Sequence, residues 1–252
     1  MKLLLDLGNT RLKWALQQGG DWLAQGSVAW DEAVERMLSE AWSTAPQPIA
    51  VYGASVVDAA REQQLAACVA SAFRAEVTWL RTPASACGVR NAYAEPQRLG
   101  VDRFLAMVAA YADGRGPCVL ASVGTALTLD ALTADGRHLG GLIAPGPQLM
   151  QQSLLDATAR VRPERPGEIL ELADNTADAV ASGCWQAAAA LVERFATRMA
   201  GRLGDASTLI LGGGDAGRLA PLLSLPAQLS HDGVLRGLAV WADTQVAAPP
   251  PG

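Results

Sequence analysis

The sequence predicts an α/β protein in which one strand–turn–strand design occurs twice. Short apolar runs alternate with stretches of helical spacing along most of the 252 residues. Two of those runs, one opening the chain and one near residue 118, break into small polar turns and resume at once as a second strand. Half of the residues are apolar and 18% are charged. That is enough to bury a sizeable core, in one large domain or two of about 100–150 residues.

Residues 3–7 read as a buried strand and 12–16 as its partner across Gly8-Asn9-Thr10. Residues 31–42 have helical spacing, "PIAVYGASV" is an apolar strand, 58–73 form an amphipathic helix, and "AEVTWLRT" is a further strand. The order so far is β-β-α-β-α-β. Residues 83–100, punctuated by Pro, Gly and Asn, read as a long loop of the kind that carries function. Asp102 then opens an apolar helix, "RFLAMVAAYA", which stops at "DGRGP". After that break the design restarts: "CVLASVGTALTLDAL" is strand, turn and strand, and "TADGRHLGGLI" adds a turn and another strand. Helices are expected at 147–159, 175–203 and 215–223, with the strand "STLILGG" between the last two. Residues 1–114 are therefore read as one lobe, 115–246 as a second, and 247–252 (AAPPPG) as a flexible tail.

Formal net charge is −5 with no run of Lys or Arg, so the footprint of a nucleic-acid binder is missing. Asp6 cuts the opening apolar run short of the roughly 7–15 residues of an export segment. No stretch approaches the ~18–20 apolar residues of a membrane span. A soluble, cytoplasmic chain without a leader is expected. Cys68, Cys87, Cys118 and Cys184 are scattered, with no C-x-x-C pair and only His138 and His231 to join them. They read as small buried hydrophobes rather than zinc ligands, and catalysis is expected to run on carboxylates.

The first turn fits two readings. One is a hairpin with polar residues at its tip. The other is a phosphate cradle, in which backbone N–H groups and the Asn9 and Thr10 side chains face an anion. Lys13 would then reach the outer phosphates, and Asp6 would hold Mg²⁺ through water. Gly124-Thr125-Ala126, with Thr128 beyond, makes a second such turn. Leu211-Gly212-Gly213-Gly214-Asp215 makes a third, suited to a helix entry at positive φ or to close approach of a ligand. Three turns of this kind at strand ends favour a nucleotide site, although neither a Walker A nor a G-x-G-x-x-G pattern is present. Asp102 fits a helix cap as well as a catalytic carboxylate. Arg103 fits a surface ion pair as well as a carboxylate clamp, and Tyr93 a packing aromatic as well as a pocket wall.

Taken in order, "DLGNTRLK", "GVDR", "VGTALT", "GGLIAPG", "NTADAVASG" and "LILGGG" resemble type III pantothenate kinase, over nearly the whole chain from Asp6 to "VLRGLAVWA". The resemblance implies the actin, sugar-kinase and heat-shock-chaperone ATPase superfold (ribonuclease H-like), with two related lobes and a nucleotide cleft between them. It implies ATP-dependent phosphorylation of pantothenate to 4'-phosphopantothenate, the first step of coenzyme A biosynthesis. Asp6, Leu7, Gly8, Asn9, Thr10, Arg11, Leu12 and Lys13 would form the first phosphate motif, with Asp6 near Mg²⁺. Gly124 and Thr125 would form the second, and Gly212 and Gly213 would lie near the adenosine. Gly100, Val101, Asp102 and Arg103 would bind pantothenate, with Asp102 as catalytic base. Tyr93 would line that pocket, and Thr176 would reach pantothenate across a homodimer interface. A monovalent cation, potassium or ammonium, is also implied. The family's second motif reads Asp-x-Gly-Thr-Ala, whereas Ser122 stands here at the aspartate. A neutral hydroxyl holds potassium less firmly than a carboxylate, so a weaker cation requirement is expected. Two other readings remain: a non-enzymatic nucleotide-binding regulator, and another small-molecule kinase of the same superfold.

Overall fold

A computed structural model describes residues 1–30, 33–158, 165–204 and 206–246. The chain runs β1 (Lys2–Leu7), β2 (Arg11–Gln18), β3 (Asp21–Ala29), α1 (Val34–Trp42), β4 (Ala50–Ser55), α2 (Ala59–Phe73), β5 (Val77–Leu80), β6 (Ser85–Ala86), β7 (Val89–Arg90) and α3 (Val101–Ala112). It continues with β8 (Cys118–Val123), β9 (Ala126–Leu132), β10 (His138–Pro145), α4 (Pro147–Ala157), α5 (Thr176–Leu203), β11 (Thr208–Gly212), α6 (Ala216–Leu219), β12 (Ala227–Leu229) and α7 (Gly233–Val246). Two compact units result: Met1–Gly114 together with the chain from Gly233, and Arg115–Asp232.

In the first unit the sheet order is β3-β2-β1-β4-β5, antiparallel through the first three strands and parallel from β1 to β5. β1 is central and covered on both faces, which is why its leucines run without alternation. Leu3, Leu5 and Leu7 pack with Trp14 against Leu38 of α1 and against Leu65 and Val69 of α2. Leu4 faces the other way, with Tyr52, onto Val101 and Leu105 of α3 and Leu235 and Leu238 of α7. Each fully buried leucine contributes about 1.5–3 kcal/mol of apolar burial, so this double layer fixes where β1 ends and its turn begins.

The second unit repeats the pattern. Its sheet order is β10-β9-β8-β11-β12, with β8 antiparallel to β9 and parallel to β11. Val119, Ala121 and Val123 of β8 pack with Leu127 and Leu129 of β9 against Trp185, Ala188 and Val192 of α5. Each unit thus sets the end of its central strand, and a glycine turn, at the same place in the same topology.

The structure corrects several expectations. The lobe boundary drawn at 115–246 fails at its end, because α7 joins the first unit. Leu235, Leu238, Ala239 and Ala242 recur at helical spacing and supply the apolar stripe that covers β1 beside α3. β3 was not expected. It is almost wholly exposed and lacks the apolar run that marks a buried strand. The loop at 83–100 contains the small β6–β7 hairpin and a 3₁₀ turn at Pro96–Arg98. Gly100, not Asp102, is the N-cap of α3, which leaves Asp102 inside the first turn. The helix expected at 215–223 is a short α6 followed by a 3₁₀ turn, Ala220–Leu222. Residues 31, 32, 159 and the tail at 247–252 lie outside the described residues.

Candidate functional site

The first turn is held from behind. Gly8 donates its N–H to the Arg11 carbonyl at 3.1 Å, and Val56, just past β4, donates to Leu7 O at 3.1 Å. Trp30 donates Nε1 to Gly8 O at 2.7 Å and its backbone N–H to Thr10 O at 3.4 Å. Arg61 donates Nη1 to Asn9 O at 3.2 Å. Leu7 and Leu12 are fully buried and anchor the turn by packing, while Asn9, Thr10 and Arg11 are exposed. Arg11 is drawn sideways, donating Nε to Ser27 Oγ at 2.8 Å. Asp6 and Lys13 stand directly opposite each other on β1 and β2, both half-buried.

The second turn is held by three corresponding bonds. Gly124 donates to Ala126 O at 3.0 Å, Asp215 past β11 donates to Val123 O at 3.0 Å, and Gly146 past β10 donates to Thr125 O at 2.9 Å. Two glycines are fixed by this closeness. A side chain on Gly146 would overlap the Gly124 carbonyl. Gly213, at φ +90°, lies so near Val123 that a Cβ would overlap the Val123 backbone. The structure therefore brings Gly124, Thr125 and Gly213 together, with Gly212 paired to Ser122 at the end of β8. Gln148 at the start of α4 donates Nε2 to both carboxylate oxygens of Asp215, at 2.9 and 3.1 Å, closing this cluster from outside.

The loop before α3 gathers a third set, within the first unit. Asn91 is its hub: Oδ1 accepts from the Tyr93 amide at 2.9 Å, and Nδ2 donates to Pro96 O at 3.0 Å. Thr82 donates Oγ1 to Leu99 O at 2.7 Å, fixing the approach to Gly100. Arg103 is buried and donates Nη1 to the Tyr93 hydroxyl at 3.1 Å, its guanidinium 5.9 Å from the ring centre. Asp102 is half-buried, and its Oδ1 accepts from the Arg103 amide at 2.8 Å. Val101 turns into the core.

Thr176 lies elsewhere, at the first position of α5. Asn175 caps that helix, accepting from the Asp178 amide at 3.1 Å. Asp178 is buried and accepts from both Arg165 guanidinium nitrogens at 2.9 Å, from Glu168 N at 2.8 Å and from Asn175 Nδ2 at 2.7 Å. The Arg165 fork, more than any other partner, holds the Asp178 carboxyl well below the usual carboxylate range. Thr176 thus sits on a firm cap, at the rim of an open hollow of about 620 Å³ lined also by Leu154, Ala179, Val180 and Cys184.

Ser122 occupies in β8 the position that Asp6 holds in β1, two residues before the turn glycine; it is exposed and in register with Thr128. Among the described residues no group of three or more His, Cys, Asp or Glu side chains is set to hold a metal. A single carboxylate such as that of Asp6 is enough for Mg²⁺, which keeps waters and takes further oxygens from a phosphate chain. Sequence reasoning missed Trp30, Arg61, Gly146 and Asn91 as parts of these sites. Only Gly146 carried a signal, the small-residue run "GGLIAPG".

The sequence profile of type III pantothenate kinase matches residues 2–198. A type III pantothenate kinase from Nitrosospira multiformis is 39% identical over 240 residues, covering 95% of this chain and 90% of that protein. One from Xanthomonas campestris pv. campestris is 44% identical over 247 residues, covering 98% of each. Among solved structures, MreB 5 of Spiroplasma citri bound to AMPPNP superposes with a TM-score of 0.52 at 11% identity, over 98% of this chain and 97% of that one. That likeness concerns fold alone, the superfold of actin, sugar kinases and heat-shock-chaperone ATPases. The profile match and the near full-length identity establish that the chain belongs to the type III pantothenate kinase family.

Proposed function

We propose that this chain transfers the γ-phosphate of ATP to the primary hydroxyl of pantothenate, giving 4'-phosphopantothenate and ADP, the first step of coenzyme A biosynthesis. The observation that carries the reading is the grouping of Asp102, Arg103 and Tyr93 at the start of α3. Pantothenate has an alcohol to be activated and a carboxylate to be held, and this grouping offers a carboxylate and a guanidinium from consecutive residues. Arg103 carries its N–H donors in a planar fork, Nη1 donating to Tyr93; the shape of that fork suits the substrate carboxylate. Asp102 orients the hydroxyl and takes its proton late, since a carboxylate is a weak base for an alcohol. Phosphoryl transfer through a loose transition state asks chiefly for positioning and charge neutralisation.

Asp6 would hold the Mg²⁺ that accompanies ATP, and the ion would supply charge neutralisation at the phosphates. Lys13, Asn9 and Thr10 at the first turn and Gly124 and Thr125 at the second take the phosphates. Gly212 and Gly213 lie against the adenosine. Ser122 replaces the family's aspartate, so potassium is needed less than in relatives. The family assignment leaves the regulator and the other small-molecule kinases without a supporting observation.

The active form is a cytoplasmic homodimer. Leu149 and Leu154 on α4 and Leu170 and Leu172 before α5 are exposed, Leu172 to 90%, and Leu154 lines the hollow that holds Thr176. No helix among the described residues is long and apolar enough to cross a membrane. The test is pantothenate-dependent ADP formation with potassium, ammonium and sodium compared, beside sedimentation of the native protein and Leu172→Glu. Absence of pantothenate-dependent turnover would overturn the function. A monomeric native protein would overturn the dimer, and collapse of activity in sodium the relaxed cation requirement.

A further inference from the structure

We propose that Trp30 and Arg61 are positioning residues for the phosphates of ATP at the first turn, an inference that rests on the activity proposed above. Three consecutive carbonyls, those of Gly8, Asn9 and Thr10, are each taken by one of these two residues, at 2.7, 3.2 and 3.4 Å. A trans peptide is planar, with its N–H opposite its C=O. Capturing the Gly8 and Asn9 oxygens therefore fixes the directions of the Asn9 and Thr10 N–H groups, which point away from Trp30 and Arg61. Those are the amides an anion at the tip of the turn would meet.

The two residues also brace each other. The Arg61 guanidinium lies 5.3 Å from the Trp30 ring centre, a cation–π contact. Arg61 itself is placed by Asp58, whose Oδ1 accepts from the Arg61 amide at 2.9 Å and so caps α2. Leu7 O and Val123 O take corresponding backbone amides, from Val56 and Asp215, and so do Thr10 O and Thr125 O, from Trp30 and Gly146. The first turn is longer and more exposed, and the additional grips on Gly8 O and Asn9 O come from side chains. Those grips can be removed by substitution without touching the backbone frame. Arg61 also brings a positive charge to the turn.

The test is steady-state kinetics of the full chain with each substrate varied in turn. Trp30→Phe keeps an aromatic ring and loses the indole N–H. It is expected to raise KM for ATP about two- to tenfold, the effect of one lost hydrogen bond, with KM for pantothenate unmoved. Arg61→Met is expected to do the same, and Arg61→Lys, which still donates and keeps the charge, to return KM for ATP toward the native value. Native KM for ATP in both Trp30→Phe and Arg61→Met would overturn the positioning role. So would an equal rise in both KM values, which is what general loosening of the unit produces. If the native enzyme forms no ADP with pantothenate, the activity and this inference fail together; if it does and the variants match it, the inference alone fails.

Discussion

Arg103 is buried in the first turn of α3 and spends one guanidinium N–H on the Tyr93 hydroxyl, 3.1 Å away. A buried guanidinium is retained only where its donors are satisfied and its charge is met. The Tyr93 contact fixes the plane of the fork before any substrate arrives. Tyr93→Phe removes that contact and keeps the ring. KM for pantothenate should rise about two- to tenfold, with KM for ATP unchanged. Arg103→Lys should cost more, because an ammonium cannot grip a carboxylate with two parallel donors. Kinetics with each substrate varied separately check both, and equal effects on the two KM values would count against a pantothenate role.

Asp102 does not cap α3; Gly100 does. Replacing Asp102 should therefore spare the helix. An asparagine side chain there keeps an oxygen to accept from the Arg103 amide, now at 2.8 Å, and loses the charge and the capacity to take a proton. Asp102→Asn is expected to fold normally, to keep native KM for ATP, and to lose about 10²- to 10⁴-fold in kcat. Circular dichroism beside turnover measurements makes the check, and near-native kcat would remove Asp102 from the chemistry.

The three glycines at the end of β11 are not equivalent. Gly213 has φ +90° and lies against Val123, whereas a Cβ on Gly214 would meet nothing within 4 Å. Gly213→Ala should carry about 1–3 kcal/mol of backbone strain, plus whatever the Val123 overlap adds. Since Val123 ends the strand that leads into the second turn, KM for ATP should rise with the loss of stability. Gly214→Ala should be near native in both. Urea midpoints and ATP kinetics on the pair decide it, and equal behaviour of the two variants would show that the close approach is not what the glycines serve.

What could be read in advance, and what could not, follows from how local each signal is. Asp6 to Lys13 and Ser122 to Thr128 announce themselves because an apolar run broken by glycine and small polar residues is a contiguous signal. The repeated strand–turn–strand design was legible for the same reason, strand by strand. Trp30 and Arg61 were not, since each serves the turn through a contact that spans more than twenty residues of chain. β3 escaped because an exposed edge strand has no apolar run to show. The apolar stripe of α7 was visible as "VLRGLAVWA", but which sheet it covers is a tertiary fact that its spacing does not encode. The cap at Gly100 was not legible, because aspartate is the commoner cap and only backbone angles separate Gly100 from Asp102.

In the folded chain the Asp178 carboxyl is held below its ordinary range, first by Arg165 and then by Asn175 and the Glu168 amide. The unfolded chain takes up this proton near the reference value of about 3.9. At neutral pH both forms are ionised and the folded form alone has the fork, so its stabilisation is fully present. As pH falls through and below that value, the unfolded chain binds a proton that the folded chain does not, and the stabilisation drains away. Arg165 is half-exposed, so solvent screens the pair and the effect is moderate. Asp178→Asn keeps an acceptor for the backbone and loses the ion pair. Its unfolding midpoint should fall clearly below native at pH 7, and the gap should narrow toward pH 3. Because Asn175 and Thr176 share that cap, the variant should also weaken pantothenate use at neutral pH. A gap that stays constant between pH 3 and 7 would show that the charge of Asp178 contributes nothing to the cap.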